Sequence, residues 1–114
     1  KDSKDLATYI SKLLLQKKAE DILIFDLRDK TPVTDYFVIC TSSSDVHSKA
    51  LADFVSDETK KLGQKPWHNE GYTNLSWILL DYVDVVVHIF LKEPRAFYNL
   101  EGLWGDATIT KISD

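Results

Sequence analysis

The chain has 114 residues, of which 44% are hydrophobic and 28% are charged, and it carries a formal net charge of −4. This size and composition predict one globular domain over residues 1–114, large enough to bury a core without disulfides or metal. The acidic balance argues against direct reading of nucleic acid, because phosphates attract clustered Lys and Arg, and it favours a basic protein partner.

Signals for membranes, secretion and disulfides are absent from the sequence. No apolar run reaches the ~18 residues that a membrane-spanning helix needs, so we expect no membrane association. The first residues do not follow the pattern of a signal peptide, but the sequence begins at Lys1 and not at Met, so we take no targeting information from them. The single cysteine, Cys40, allows no internal disulfide. We expect a cytoplasmic protein in a reducing compartment, with an organellar origin left open.

Helical and strand patterns alternate along the first half of the chain. Apolar residues at helical spacing predict a helix over residues 4–17. Short apolar runs predict strands at 22–25 and 36–41, separated by a loop that contains Pro32. A serine-rich segment then precedes a second predicted helix over 45–62, because Ser side chains cap helix N-termini.

A predicted β-hairpin dominates the second half. A short strand is expected around 67–70, and longer strands at 77–81 and 85–90 are joined by a tight turn flanked by acidic residues. Pro94 favours the start of a last helix that runs towards Leu103. Three residues of this region are expected to pack inward: Phe97, Leu100 and Trp104. We expect Trp67 to be structural as well.

Together these elements predict an α/β (α+β) domain in the order α-β-β-α-β-β-β-α. The central helix suggests a crossover between parallel strands, and the hairpin adds antiparallel pairing, so the sheet of about five strands is mixed. About three helices cannot cover both faces of such a sheet. We therefore expect helices mainly on one face and an open surface on most of the other.

The two faces of the hairpin differ in chemistry, because successive side chains of a strand point to opposite sides. One face is aliphatic and suits a core: Ile78, Leu80, Val85, Val87 and Ile89. The other mixes aromatic and polar groups: Trp77, Leu79, Asp81, Val86, His88 and Phe90. An uncovered patch of this mixed kind is typical of a surface for a partner or for self-association.

Asp81, Asp84 and His88 lie close in sequence, which raises acid–base or metal chemistry as an alternative. A nucleotidyl-transfer site normally projects two carboxylates, two residues apart, from one strand face. Asp81 and Asp84 are three apart and straddle the turn, so capping of turn amides is favoured, with an interface role for Asp81 as the alternative. His88 is expected to be packed and hydrogen-bonded, and neither a cofactor nor a metal is expected.

The segment 41–45 leads from a strand into a helix, an arrangement that can cradle phosphate at a helix N-terminus. It contains no glycine for close backbone approach and no Lys at Walker spacing. Helix capping explains the segment, and phosphate binding is the less favoured alternative. Cys40, in an apolar strand, is expected to be an inert buried thiol.

Ordered segments of the chain resemble the ribosomal silencing factor (RsfS, Iojap-like) family. The resemblance covers nearly the whole chain, from the first helix to Trp104. It is carried by residues 17–22, 35–39, the serine-rich turn, 70–72, 77–82, 84–90, 97–101 and 103–104. The resemblance implies a nucleotidyltransferase-like fold that lacks the catalytic carboxylate pair, and so a protein that is not an enzyme.

The resemblance also implies a function. Members of the family bind the large ribosomal subunit through the fourteenth of its ribosomal proteins, block joining of the small subunit and repress translation. A small nucleotidyltransferase, a large-subunit assembly factor and a homodimer stay open as alternatives. We expect these partner-binding residues: Glu70, Trp77, Leu79, Asp81, Tyr82, His88, Phe90 and Tyr98.

One departure from the family concerns the hairpin turn. Members of the family usually have Gly where this chain has Val83, and Gly permits a positive φ that a β-branched residue resists. We therefore expect either a turn without positive φ at Val83 or a locally strained one.

Overall fold

The structure is a computed structural model that describes residues 2–113. Its helices are α1 (Ser3–Gln16), α2 (Asp45–Lys61), α3 (Lys92–Tyr98) and α4 (Leu100–Leu103). Its strands are β1 (Glu20–Asp26), β2 (Tyr36–Ser42), β3 (His68–Glu70), β4 (Trp77–Asp81), β5 (Val85–Leu91) and β6 (Thr108–Ile112).

All six strands belong to one mixed sheet in the order β3-β4-β5-β2-β1-β6. β2 and β5 pair in parallel at the centre, and the other neighbouring pairs are antiparallel. Parallel neighbours need a long crossover, which here contains α2, β3 and β4. The α/β (α+β) class with a mixed sheet is thus confirmed, with six strands in place of about five.

α1 and α2 cover one face of the sheet and form the main core with it. Their buried apolar positions recur at helical spacing, as Ile10 and Leu14 do in α1 and Leu51 and Val55 in α2. Against them lies the aliphatic face of the hairpin, every member of which is buried: Ile78, Leu80, Val85, Val87 and Ile89. The expected core face is therefore confirmed.

Both long helices begin at side-chain caps. The side chain of Asp2 accepts a hydrogen bond from the amide of Asp5, and the side chain of Ser44 accepts one from the amide of His47. The serine-rich segment therefore serves α2 as its N-cap, as expected from the sequence.

The last predicted helix is two short helices. Asn99, at a left-handed φ of 49°, ends α3 and accepts a hydrogen bond from the amide of Gly102 at the start of α4. Leu100 and Trp104 pack onto the sheet as expected. The expectation that Phe97 packs inward is wrong, because its side chain is exposed.

The sheet face opposite α1 and α2 is called the aromatic face here, because Phe37, Trp77, His88 and Phe90 lie on it. A smaller core forms on this face and includes Phe90, with Leu100 and Trp104 packed against it. The expectation of an uncovered patch is therefore only partly correct. Trp77 and Leu79 are half-buried, whereas Val86 and Phe90 are buried.

The hairpin turn is strained at Val83. Its φ is 75°, in the left-handed region that β-branched residues resist. The amide of Asp84 donates to the carbonyl of Tyr82 over 3.0 Å, which is the bond of a γ-turn centred on Val83. Of the two alternatives expected for this turn, the structure has the strained one.

Candidate partner-binding face

Strand pairing brings most of the predicted site residues together on the aromatic face. Directly opposed side chains of neighbouring strands share a face and lie about 5 Å apart. The register of β4 and β5 joins Trp77 with Phe90, Leu79 with His88, and Asp81 with Val86. β3 adds Glu70 opposite Leu79. Two predicted residues, Tyr82 and Tyr98, lie outside this pairing.

Trp77 is the centre of an aromatic cluster formed by Trp77, His88, Phe90 and Tyr98. Its ring stacks on Phe90 with centroids 4.8 Å apart, and it contacts the ring of Tyr98 at 4.7 Å. The indole Nε1–H donates to Nδ1 of His88 over 3.1 Å. These contacts fix the orientation of a half-buried ring, so little side-chain freedom is lost when a partner covers it.

His88 is the packed, hydrogen-bonded histidine that the sequence predicts. It is 4% exposed, and its ring lies edge-on against Phe37 with centroids 4.5 Å apart. Burial lowers the pKa of His88 from 6.5 to about 3, because apolar surroundings disfavour the imidazolium. Since Nδ1 accepts from Trp77, the proton of the neutral ring lies on Nε2. This neutral ring orients Trp77 and is poorly suited to proton transfer.

Exposed side chains of α3 extend the aromatic cluster towards solvent. The ring of Phe97 lies edge-on against that of Tyr98, with centroids 5.1 Å apart, and both side chains are exposed. On α4, Leu103 is exposed as well. Single exposed apolar residues are ordinary in soluble proteins, but a connected aromatic group is typical of an interaction site.

Two carboxylates give this face a negative border. Oδ1 of Asp81 accepts from the amide of Val83 over 2.7 Å, which confirms the turn-capping role expected for Asp81. The same role expected for Asp84 is not confirmed, because Val83 is capped by Asp81 alone among the described residues. Oε2 of Glu70 lies 2.8 Å from Nε2 of His68 at the exposed sheet edge. The side chain of Glu70 is 64% exposed and Asp81 is only half-buried, so a cationic partner can reach both carboxylates.

Three of the predicted partner residues have little surface to offer. Tyr82 lies on the helix-covered face, where its hydroxyl shares a 2.8 Å hydrogen bond with that of Thr59, and burial raises its pKa to about 12. Phe90 and His88 are buried beneath Trp77 and support it. The other five are accessible in the structure: Glu70, Trp77, Leu79, Asp81 and Tyr98.

Sequence reasoning missed two exposed aromatic residues, Phe97 and Trp67. The structural role expected for Trp67 is wrong, since its side chain is largely exposed. A signal was available, because Trp67 follows Pro66 at the start of a very short predicted strand. Such a strand belongs at a sheet edge, where one tryptophan cannot be covered on all sides.

The described residues form neither a cluster of metal ligands nor a reactive thiol. Within residues 2–113, no group of three or more His, Cys, Asp and Glu residues is placed to hold a metal ion. Cys40 is buried, and burial raises the pKa of its thiol to about 12, so the thiolate is not formed at neutral pH. No helix in the described chain is long and apolar enough to cross a membrane.

A buried arginine fastens the C-terminal segment to the sheet. Nη1 of Arg95 donates to the carbonyl of Asp21 over 2.7 Å and to Oγ1 of Thr41 over 2.9 Å. Its guanidinium also pairs with Glu101 at 3.0 Å. These bonds connect α3 with β1, β2 and α4, so the placement of Tyr98 over the aromatic cluster depends on Arg95.

Comparison with known protein families places this fold and face in context. The model of a family described as "Ribosomal silencing factor during starvation" matches residues 1–114. The chain belongs to the ribosomal silencing factor family.

Individual relatives agree with this family. The ribosomal silencing factor RsfS of Bacillus subtilis is 43% identical over 96 residues, which are 84% of this chain and 81% of that protein. The chloroplastic protein Iojap of Zea mays is 39% identical over 102 residues, covering 90% of this chain and 44% of that protein. A crystal structure from Chromobacterium violaceum matches 92% of this chain and 88% of its own with a TM-score of 0.89 at 30% identity.

Proposed function

We propose that this chain is a ribosomal silencing factor that binds the large ribosomal subunit and thereby blocks joining of the small subunit. Its proposed partner is a basic protein of the large subunit, the fourteenth ribosomal protein. The observation that carries the proposal is the fixed Trp77 ring, continued outward by Tyr98 and Phe97, in a chain of this family. Translation is then repressed by occupancy, without catalysis or a cofactor.

Electrostatics supports a protein partner over ribosomal RNA. The chain has a net charge of −4, and Asp81 and Glu70 lie on the aromatic face itself. RNA phosphates repel such a surface, whereas Lys and Arg side chains of a basic ribosomal protein are attracted to it. Opposite charges at the border of an interface mainly set its specificity and its association rate.

Apolar contact supplies the affinity in this proposal. A standard interface buries about 800 Å² on each partner, and buried apolar area contributes roughly 25 cal/mol per Å² before association costs. Trp and Tyr are enriched among the few residues that dominate binding energy. Trp77 and Tyr98, in ring contact at 4.7 Å, are therefore the expected centre of the interface.

The proposed block of subunit joining is steric. The domain measures 35 × 34 × 28 Å, so its smallest dimension is far larger than the gap between two surfaces in direct contact. A body of this size on the joining surface of the large subunit keeps the small subunit away for as long as it stays bound. Repression then follows the fraction of large subunits that are occupied.

A pair of matched variants tests the binding face. Phe97→Lys places a positive charge next to Tyr98 and should weaken cosedimentation with isolated large subunits at least about tenfold, since a basic partner repels it. Val46→Lys is the control, because Val46 is equally exposed (80% against 81%) but lies on α2, which packs against the opposite face. Equal retention of both variants would remove the aromatic face from the proposal.

Light scattering of the isolated chain distinguishes self-association through the aromatic face from binding of the large subunit by that face. A monomer that binds large subunits supports a docking face for the ribosome. A dimer that dissociates in Phe97→Lys, without any binding of large subunits by the wild type, would assign the face to a homodimer instead.

A further inference from the structure

A groove lies at the far end of β4 from Trp77. It is an open space of about 280 Å³ that lies between the hairpin turn, the loop after β1 and the residue before β3. Its lining residues are Val33, Trp67, Asp81, Val83 and Val86. Because Trp77 and Asp81 are four residues apart on one strand, the groove is about 13 Å from the centre of the aromatic cluster.

Backbone hydrogen bonds hold the walls of this groove in place. The amide of Trp67 donates to the carbonyl of Asp81 over 2.8 Å. On the other side, the amides of Asp35 and Tyr36 donate to the carbonyl of Asp84 over 2.9 and 3.1 Å, which ties the loop after β1 to the hairpin turn. The backbone on both sides of the groove is therefore fixed by the fold.

Most residues that line the groove are apolar, although all but one of these are exposed. Val33, Trp67 and Val83 are 78, 76 and 53% exposed, so these large apolar side chains add little to the stability of the domain. Asp81 is the one ionisable residue among the five that line the groove, and its bond to the Val83 amide uses only Oδ1. The residue opposite Asp81 on β3 is His68, whose ring pairs with Glu70. A carboxylate that is flanked by apolar side chains attracts a cation more strongly than one surrounded by water.

We infer that this groove receives the side chain of an arginine on the protein partner, with the guanidinium stacked on Trp67 and hydrogen-bonded to Asp81. The inference rests on the proposed function, which supplies a basic partner for this face. An arginine fits better than a lysine, because the planar guanidinium stacks on aromatic rings and is more weakly hydrated than an ammonium. The apolar walls then cover its methylene groups.

The isolated chain tests the groove without the ribosome. Nuclear magnetic resonance follows the Trp67 indole and Val83 amide signals during titration with N-acetyl-arginine amide or its uncharged analogue, N-acetyl-citrulline amide. We expect saturable shifts with the arginine compound, with a dissociation constant in the millimolar range and above. Asp81→Asn keeps an oxygen for the Val83 amide and should weaken this response about tenfold, whereas Glu93→Gln, which removes an exposed carboxylate on α3 outside the groove, should not.

Equal shifts with the citrulline compound, or no saturable response to the arginine compound, would overturn the inference.

Cosedimentation with large subunits distinguishes a failure of the groove inference from a failure of the proposed function. Loss of binding in Trp67→Ala, with partial rescue in Trp67→Phe, supports the arginine groove. If Phe97→Lys abolishes binding while Trp67→Ala and Asp81→Asn bind as the wild type does, the groove is wrong and the proposed function stands. If the chain responds to the arginine compound but does not bind large subunits, the proposed function is wrong and the groove stands.

Discussion

Trp77 and His88 are joined by a 3.1 Å hydrogen bond in which the indole donates and the imidazole accepts. The bond requires a neutral His88, and burial keeps the ring neutral at physiological pH by lowering its pKa to about 3. The ring at the centre of the proposed interface is therefore held by a partner whose charge does not change in the cell.

Stability should fall as pH falls from 6.5 towards 3. In this window His88 takes up a proton in the unfolded chain, where its pKa is 6.5, but not in the folded chain, where its pKa is about 3. The unfolded state thus binds more protons, and the free energy of unfolding decreases by up to about 1.4 kcal/mol per pH unit as pH is lowered. Urea unfolding at a series of pH values measures this slope.

His88→Gln is the control for the pH dependence, because Gln offers an acceptor to Trp77 without titrating. The Asp26 carboxyl, whose pKa is lowered by its hydrogen bond to Arg28, adds a similar dependence at lower pH in both proteins. A slope between pH 6.5 and 4.5 that is the same in both would show that His88 is not buried as described.

Val83→Gly should stabilise the domain. A φ of 75° costs a residue with a β-carbon roughly 1–2 kcal/mol, whereas glycine adopts it without strain. The greater freedom of glycine in the unfolded chain offsets up to about 1 kcal/mol of this gain, so we expect a net increase of roughly 0.5–1 kcal/mol. Chemical unfolding measures this gain in the free energy of unfolding, with Val83→Ala as the control that keeps the strain. A glycine variant that is less stable than the wild type would contradict the strained turn.

Arg95→Met should destabilise the domain by roughly 3 kcal/mol, because it leaves Glu101 without its buried partner and removes the bonds to Asp21 and Thr41. Arg28→Met is the comparison. Arg28 also pairs with a carboxylate, that of Asp26, but on the exposed surface, where ion pairs add little. Thermal unfolding of both variants tests this difference, and equal losses would show that Arg95 does not fasten the C-terminal segment.

Tyr82→Phe separates a structural role for this residue from partner contact. Loss of the 2.8 Å bond between the Tyr82 and Thr59 hydroxyls should lower the free energy of unfolding by about 1 kcal/mol. Binding to large subunits should be unchanged, since Tyr82 lies under α2. A weaker complex formed by an equally stable variant would return Tyr82 to the set of partner-binding residues.

Local patterns were sufficient to predict the hairpin and its two faces. The alternation of side chains from Trp77 to Phe90 depends only on strand geometry, so the aliphatic core face and the shared position of Trp77, Leu79 and His88 followed from it. The capping roles of Ser44 and Asp81 were also predictable, because each side chain bonds to a backbone amide within three residues of its own position.

Long-range contacts account for what the sequence did not reveal. β6 is stabilised by pairing with β1, more than 80 residues earlier in the chain, and its own pattern of alternating Thr and Ile is short and mostly exposed. The burial of Phe90 depends on Leu100 and Trp104 folding back over the sheet. That path is set by the break at Asn99 and by the bonds of Arg95, neither of which shows a periodic pattern.

Subunit joining in the presence of the chain is the measurement that tests the account most directly. Isolated large and small subunits are mixed with increasing amounts of the wild type, Val46→Lys or Phe97→Lys, and joined ribosomes are separated by sedimentation. We expect the yield of joined ribosomes to fall as large subunits become occupied by the wild type or Val46→Lys, and to stay high with Phe97→Lys. A full yield of joined ribosomes that still carry the wild-type chain would contradict silencing by occupancy.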